Sequence, residues 1–190
     1  TLTGMAVYTE VPDEALASFV ARYGIGEITS CKGIAEGVEN SNYLLGTTAG
    51  NYILTLYEKR VAPQDLPFFL GLMEHLAARG LPCPTPVRDR EGLMLGTLAG
   101  RPAAIVTFLK GVSIRRPQTH HCAALGSALA QLHLLGAGFA LPRPNALGLE
   151  GWRELAGKLD ADAERVAPGL GKLIADEIGF LGAHWPKSLP

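Results

Sequence analysis

The sequence has little that would tie it to nucleic acid, a membrane or an oxidising compartment. Lys and Arg number 17 against 18 Asp and Glu, a formal net charge of −1, so it lacks the basic footprint that a nucleic-acid backbone or an anionic membrane surface attracts. No apolar run approaches the ~18 residues of a membrane span. The opening TLTGMAVYTE has neither the basic nor the apolar region of a signal peptide, and Met5 reads as a natural start. Cys31, Cys83 and Cys122 are odd in number, widely spaced and without a C-x-x-C. That pattern argues against a disulfide framework and a zinc site, leaving buried free thiols in a reducing cytoplasm. Repeats and low-complexity tracts are absent. So is any histidine followed two residues on by aspartate: His75, His120, His121, His133 and His184 lead to Ala77, Cys122, Ala123, Leu135 and Pro186.

What is present is a globular chain. Its 190 residues are 47% hydrophobic, enough for one substantial core or two small lobes. Leu16, Phe19, Val20 and Tyr23 recur at helical spacing and predict a helix over 12–23, ended by Gly24. Residues 27–60 carry three short apolar and β-branched runs, near 27–33, 42–47 and 51–58, separated by glycine-containing turns. They predict a three-stranded antiparallel meander. A second helix is expected over about 63–79, with Leu66, Phe69, Leu70, Met73, Leu76 and Ala77 as its apolar stripe and Arg79-Gly80 as its end. LPCPTPV, 81–87, must be extended because of its alternate prolines. Two strands near 86–98 with a turn at Arg90-Glu91-Gly92, then a central strand 101–109, complete the sheet. After Gly111 only helices are expected, over 117–135, 151–164 and 170–184, so a lobe boundary is placed near 111.

The candidate chemistry lies in the loop GIAEGVENSN, 33–42. Phosphates need close backbone approach and free N–H donors, which Gly33 and Gly37 permit. Asn40, Ser41 and Asn42 add uncharged side-chain donors. An ordinary hairpin with polar turn residues would read the same way.

Several stretches carry a resemblance: KGIAEGVENSNYLL, NYILTLYEKR, DLPFFLGLMEHLAARGLPCPTPV, GRPAAIVTFLKG and ALGSALAQLHLLGAGF. Together they resemble the bacterial homoserine kinases, within the superfamily of choline kinases and aminoglycoside phosphotransferases. The resemblance runs from about Met5 to Pro190. It implies an α+β fold: a protein-kinase-like small lobe with hinge, 1–111, then the first helices of a helical lobe, 112–190. It implies ATP and Mg2+, a homoserine substrate and a cytoplasmic enzyme of threonine biosynthesis, with no nucleic-acid or membrane partner.

The resemblance also assigns residues. The lid 33–42 would cover the triphosphate, and strand 51–58 would roof the adenine. Ile53 and Thr55 share a face by period two, with Ile53 packing on the purine. Segment 105–111 would be the hinge, where backbone groups of Thr107, Phe108 and Leu109 read the adenine. Kinases often place a phosphate-binding lysine on the third strand, paired with a helix carboxylate. Thr55 stands at the aligned position, so either the alignment is off by a residue or two or the nearby Lys59 or Arg60 does part of that task. Asp65 is read as helix-dipole compensation, and Glu74 as facing either cleft or solvent.

The superfamily's H-x-D-x-x-x-x-N loop, whose Asp activates the hydroxyl and whose Asn binds metal, matches no histidine here. No catalytic or metal residue is therefore assigned, and this chain is expected to be an inactive N-terminal piece, truncated before its catalytic loop. Three readings stay open: a piece of a homoserine kinase, a naturally short non-catalytic binding chain, or a piece of a kinase for another small alcohol such as choline, methylthioribose or an aminoglycoside. Other candidates are weak. His133 is expected to pack in a core with Leu125, Leu129 and Leu132. His120 and His121 should point apart, and IRRP, 114–117, is read as a solvated loop. Helices lacking their sequel should expose apolar faces and favour self-association.

Overall fold

A computed structural model describes residues 9–35, 39–58, 62–159 and 162–186. The order is α1 (Asp13–Val20), β1 (Ile28–Gly33), β2 (Asn40–Thr47), β3 (Gly50–Tyr57), a 3-10 turn (Pro63–Asp65), α2 (Leu66–Ala77), β4 (Gly96–Leu98), β5 (Arg101–Thr107), α3 (Thr119–Gly136), α4 (Leu149–Leu159), α5 (Asp162–Val166) and α6 (Leu170–His184). The fold is α+β. Two compact units emerge, 1–142 and 143–190. This division falls later than residue 111, where strands give way to helices. The His75 ring lies 3.0 Å from the Leu135 carbonyl, tying α3 to α2 and hence to the first unit.

Among the described residues the first unit is built on a five-stranded antiparallel sheet, ordered β1-β2-β3-β5-β4. The three expected strands all form. Their inward phase is Tyr43 and Leu45 on β2, Leu54 and Leu56 on β3, and Ala103 and Ile105 on β5, which cluster with Leu16, Phe19, Val20 and Tyr23 from α1 and just after it. One sheet face is thus closed by the first helix. Leu66, Leu70, Ala104 and Val106 are also buried, but lie outside that cluster. In the second unit α4 packs on α6, with Trp152 edge-on to Trp185.

Some expectations need correction. The pair of strands near 86–98 is reduced to β4 and two single bridges, Tyr23 with Asp89 and Pro86 with Val106. Pro82, Pro84 and Pro86 remove alternate amide donors, so no full ladder is possible. Residues 85–87 instead run beside the end of β5: Thr107 N–H donates to Thr85 O (2.9 Å) and Val87 N–H to Ile105 O (2.8 Å). Of the helix expected over 151–164, the described residues show α4 to Leu159 and α5 from Asp162. His133 is exposed rather than packed, because Leu125, Leu129 and Leu132 beside it are exposed as well. The rings of His120 and His121 do not diverge but lie 3.8 Å apart, as His121 turns back to accept the Gln118 N–H at the start of α3. All three cysteines are free, but Cys31 and Cys83 are half-buried and Cys122 is exposed.

Candidate functional site

The expected lid is narrower than its sequence suggested. β1 runs to Gly33 and β2 begins at Asn40, and Ile34 N–H donates to Asn42 O (2.8 Å), so the connection is 34–39. Gly33 sits exposed at the end of β1, opposite Tyr43. Gly37 lies outside the described residues, as do Lys59 and Arg60.

Asn40, Ser41 and Asn42 belong to a strand, so they alternate between faces. Asn42 stands opposite Thr55, which stands opposite Ala104; Leu44, Ile53 and Val106 form the next row. This face is turned away from the α1 core. On it the Thr55 hydroxyl donates to Asn42 Oδ1 (2.8 Å). That bond fixes the amide so that its Nδ2 donors are not spent on Thr55. Ile53 and Thr55 do share a face, as period two requires.

Ser41 faces the other way and is fully buried. Its hydroxyl donates to Glu58 Oε1 (2.8 Å) and accepts the Thr9 N–H (3.1 Å). Both bonds lie behind the sheet. Thr9 Oγ1 also donates to Glu58 Oε1 (2.7 Å), and the Tyr43 hydroxyl donates to Thr9 O (2.5 Å). Arg101 Nε lies 3.1 Å from Glu58 Oε2, and the Glu58 side chain is only 10% exposed. Here a buried carboxylate is both paired and hydrogen-bonded, the arrangement that makes its burial tolerable. Thr9, Glu58 and Arg101 were not singled out from sequence.

At the end of β5, Thr107 pairs with Tyr52 and is held by Thr85 through both its N–H and its hydroxyl, which accepts the Thr85 N–H (2.9 Å). Its N–H is therefore occupied. Among the described residues the N–H groups of Phe108 and Leu109 have no such partner, and both side chains are exposed. Residues 110–117, including IRRP, are exposed.

Glu74 faces neither an empty cleft nor bulk water alone. Arg88 grips it through two bonds, Nε to Oε1 (2.9 Å) and Nη2 to Oε2 (2.7 Å), linking α2 to the segment after the prolines. Asp65 stands at the N-terminus of α2, where a carboxylate favours the helix dipole. Among the described residues no three or more His, Cys, Asp or Glu are grouped to hold a metal.

The profile of the phosphotransferase enzyme family matches residues 30–190. The chain belongs to that family. Homoserine kinases of Methylobacterium nodulans and Paramagnetospirillum magneticum are 64% and 60% identical to it over 186 residues, 98% of the chain. The chain spans 58% and 57% of those relatives' length. A spectinomycin phosphotransferase solved with ADP and spectinomycin shares the fold of this phosphotransferase-family chain at TM-score 0.59 and 14% identity, over 82% of this chain and 48% of that one. An aminoglycoside phosphotransferase from Alicyclobacillus acidocaldarius does so at 0.55 and 13%, over 92% and 54%.

Proposed function

We propose that this chain is the nucleotide-binding part of an ATP-dependent kinase that phosphorylates the hydroxyl of homoserine. The observation that carries the reading is identity of 57–64% to homoserine kinases across 98% of the chain. In this reading the sheet face bearing Ile53, Thr55 and Asn42 meets the nucleotide, with Ile53 under the purine. The Asn42–Thr55 pair takes the place where kinases often hold a lysine, offering neutral amide donors to the phosphates in place of a charge. Phe108 and Leu109, whose N–H groups have no backbone partner among the described residues, read the adenine edge, and the functional lobe boundary stays near 111. Phosphoryl transfer depends mainly on positioning and on charge stabilisation by metal and protein donors. The described residues do not fit a magnesium cage, so no step is assigned to the metal here. The carboxylates for metal and hydroxyl would come from the rest of such a protein. The free cysteines agree with a reducing cytoplasm.

The test has two arms. A protein containing this chain at its relatives' full length is assayed for ADP release with homoserine, choline, methylthioribose and an aminoglycoside. Homoserine alone should support turnover; activity only with another alcohol would overturn the substrate. The chain itself is titrated with fluorescent ATP and adenosine analogues. It should bind both, ATP more tightly, with no turnover. Asn42→Asp, which adds a carboxylate beside the proposed phosphates, should weaken ATP about tenfold or more and leave adenosine unchanged.

A further inference from the structure

The loop-flanking asparagines face one side of the sheet, where Thr55 holds Asn42, but the residue between them is held on the other. Ser41 sits between Asn40 and Asn42 on β2, buried in the opposite phase. Strand geometry makes these three a unit: holding the middle side chain behind sets where its neighbours point in front. Ser41 is held by Glu58 (2.8 Å) and by the backbone of Thr9 (3.1 Å). Glu58 also touches the front, since its N–H lies 3.4 Å from Asn40 Oδ1. Its carboxylate is locked by Thr9 Oγ1 (2.7 Å) and Arg101 (3.1 Å). Thr9 is in turn clasped by the Tyr43 hydroxyl (2.5 Å). One carboxylate thus ties together the segment before α1, the start of β2 and the first residue of β5. An apolar residue at position 58 would satisfy the core phase of β3 set by Leu54 and Leu56 without any of these bonds.

We propose that Thr9 and Glu58 are positioning residues: acting through Ser41 from behind the sheet, they hold Asn40 and Asn42 in the register that meets the nucleotide's phosphates. This rests on the nucleotide reading above and adds a role to a segment that touches no nucleotide. It implies that the phosphate-dependent part of the affinity, not the base-dependent part, answers to a bond on the far side of the sheet.

The experiment uses the 190-residue chain and its variants Thr9→Val, Thr9→Ser and Glu58→Gln. The readout is the ratio of ATP to adenosine affinity, with melting temperature followed alongside. Thr9→Val removes the hydroxyl that braces Glu58 and should lower ATP affinity about fivefold, with adenosine within about twofold. Thr9→Ser restores the hydroxyl and should restore the ratio. Glu58→Gln should act in the same direction. If it fails to fold, Thr9→Val, at a half-buried position, still decides. A control, Leu16→Ala in the α1 core, should lower the melting temperature and leave the ratio unmoved. The proposal is overturned if ATP and adenosine weaken together in step with melting temperature, if Thr9→Ser behaves like Thr9→Val, or if no ratio changes. A wild-type chain that melts cooperatively yet binds neither ligand overturns the nucleotide reading itself, a distinct result.

Discussion

Asp89 has almost no solvent contact, its side chain being 1% exposed, yet it carries a charge. Its Oδ1 accepts the N–H groups of Leu93 (2.9 Å) and Glu91 (3.0 Å), and Arg22 pairs with Oδ2 at 2.5 Å. The Leu93 amide, together with those of Glu91 and the Arg22 guanidinium, holds the carboxyl below its ordinary range, against the opposing effect of burial. A depressed folded pKa means that Asp89 stabilises the fold above the unfolded value of ~3.9 and loses that contribution as pH falls through the folded one. Asp89→Asn should therefore melt below the wild type at pH 7, and the gap should narrow as pH falls below about 4. A gap independent of pH would show that the carboxylate's charge plays no part. At this scale the sequence was half legible. Period two placed Ile53 and Thr55 together correctly. Three consecutive polar residues read alike as loop donors, whereas strand alternation sends the middle one, Ser41, into the buried phase of β2. Thr9 and Glu58 are 49 residues apart, and nothing local links them. The one available signal was a glutamate in the inward phase of Leu54 and Leu56.

Elements formed where periodicity was strong and failed where it was interrupted. α1, β1, β2, β3, α2 and β5 lie within a few residues of their expected spans, since each shows either a 3.6-residue stripe or clean alternation. The stretch 81–95 has β-branched and apolar residues but also three prolines, and its backbone was not free to pair. The short β4 is set by its turn. Ala99 and Gly100 join Leu98 to Arg101 with φ of 49° and 72°, the positive pair that a type I′ hairpin demands. Gly100 adopts this freely; Ala99 pays for it, since its Cβ crowds the following carbonyl by roughly 1–2 kcal/mol. Ala99 is exposed, so nothing packs on its methyl to compensate. Replacing it with Asn, which tolerates this region, should raise stability by about 0.5–1 kcal/mol in urea unfolding with an unchanged slope. A loss of stability would mean that the turn adopts another geometry in solution.

Over the whole molecule, the apolar surface left open is the property that most needs an account. On α3, Leu125, Leu129 and Leu132 recur at i, i+4 and i+7, so they form one continuous stripe, and they are 61%, 47% and 37% exposed. Leu134 nearby is 75% exposed. On the helices of the second unit, Leu155, Leu173 and Phe180 are exposed by half or more. Scattered single leucines on a surface need no explanation, but contiguous stripes beyond a few hundred Å2 act as association sites. The near-zero net charge of −1 gives little repulsion to oppose it. We therefore expect this chain alone to self-associate through α3. Its scattering mass should exceed the 20.1 kDa of one copy and rise with concentration. Leu125→Lys with Leu129→Lys places two charges in the stripe without touching a buried side chain. The double variant should return toward 20.1 kDa while keeping the wild-type melting temperature. A wild-type chain that stays monodisperse at that mass across the concentration range would refute the association. A double variant that remains associated would shift the contact from α3 to the helices of the second unit.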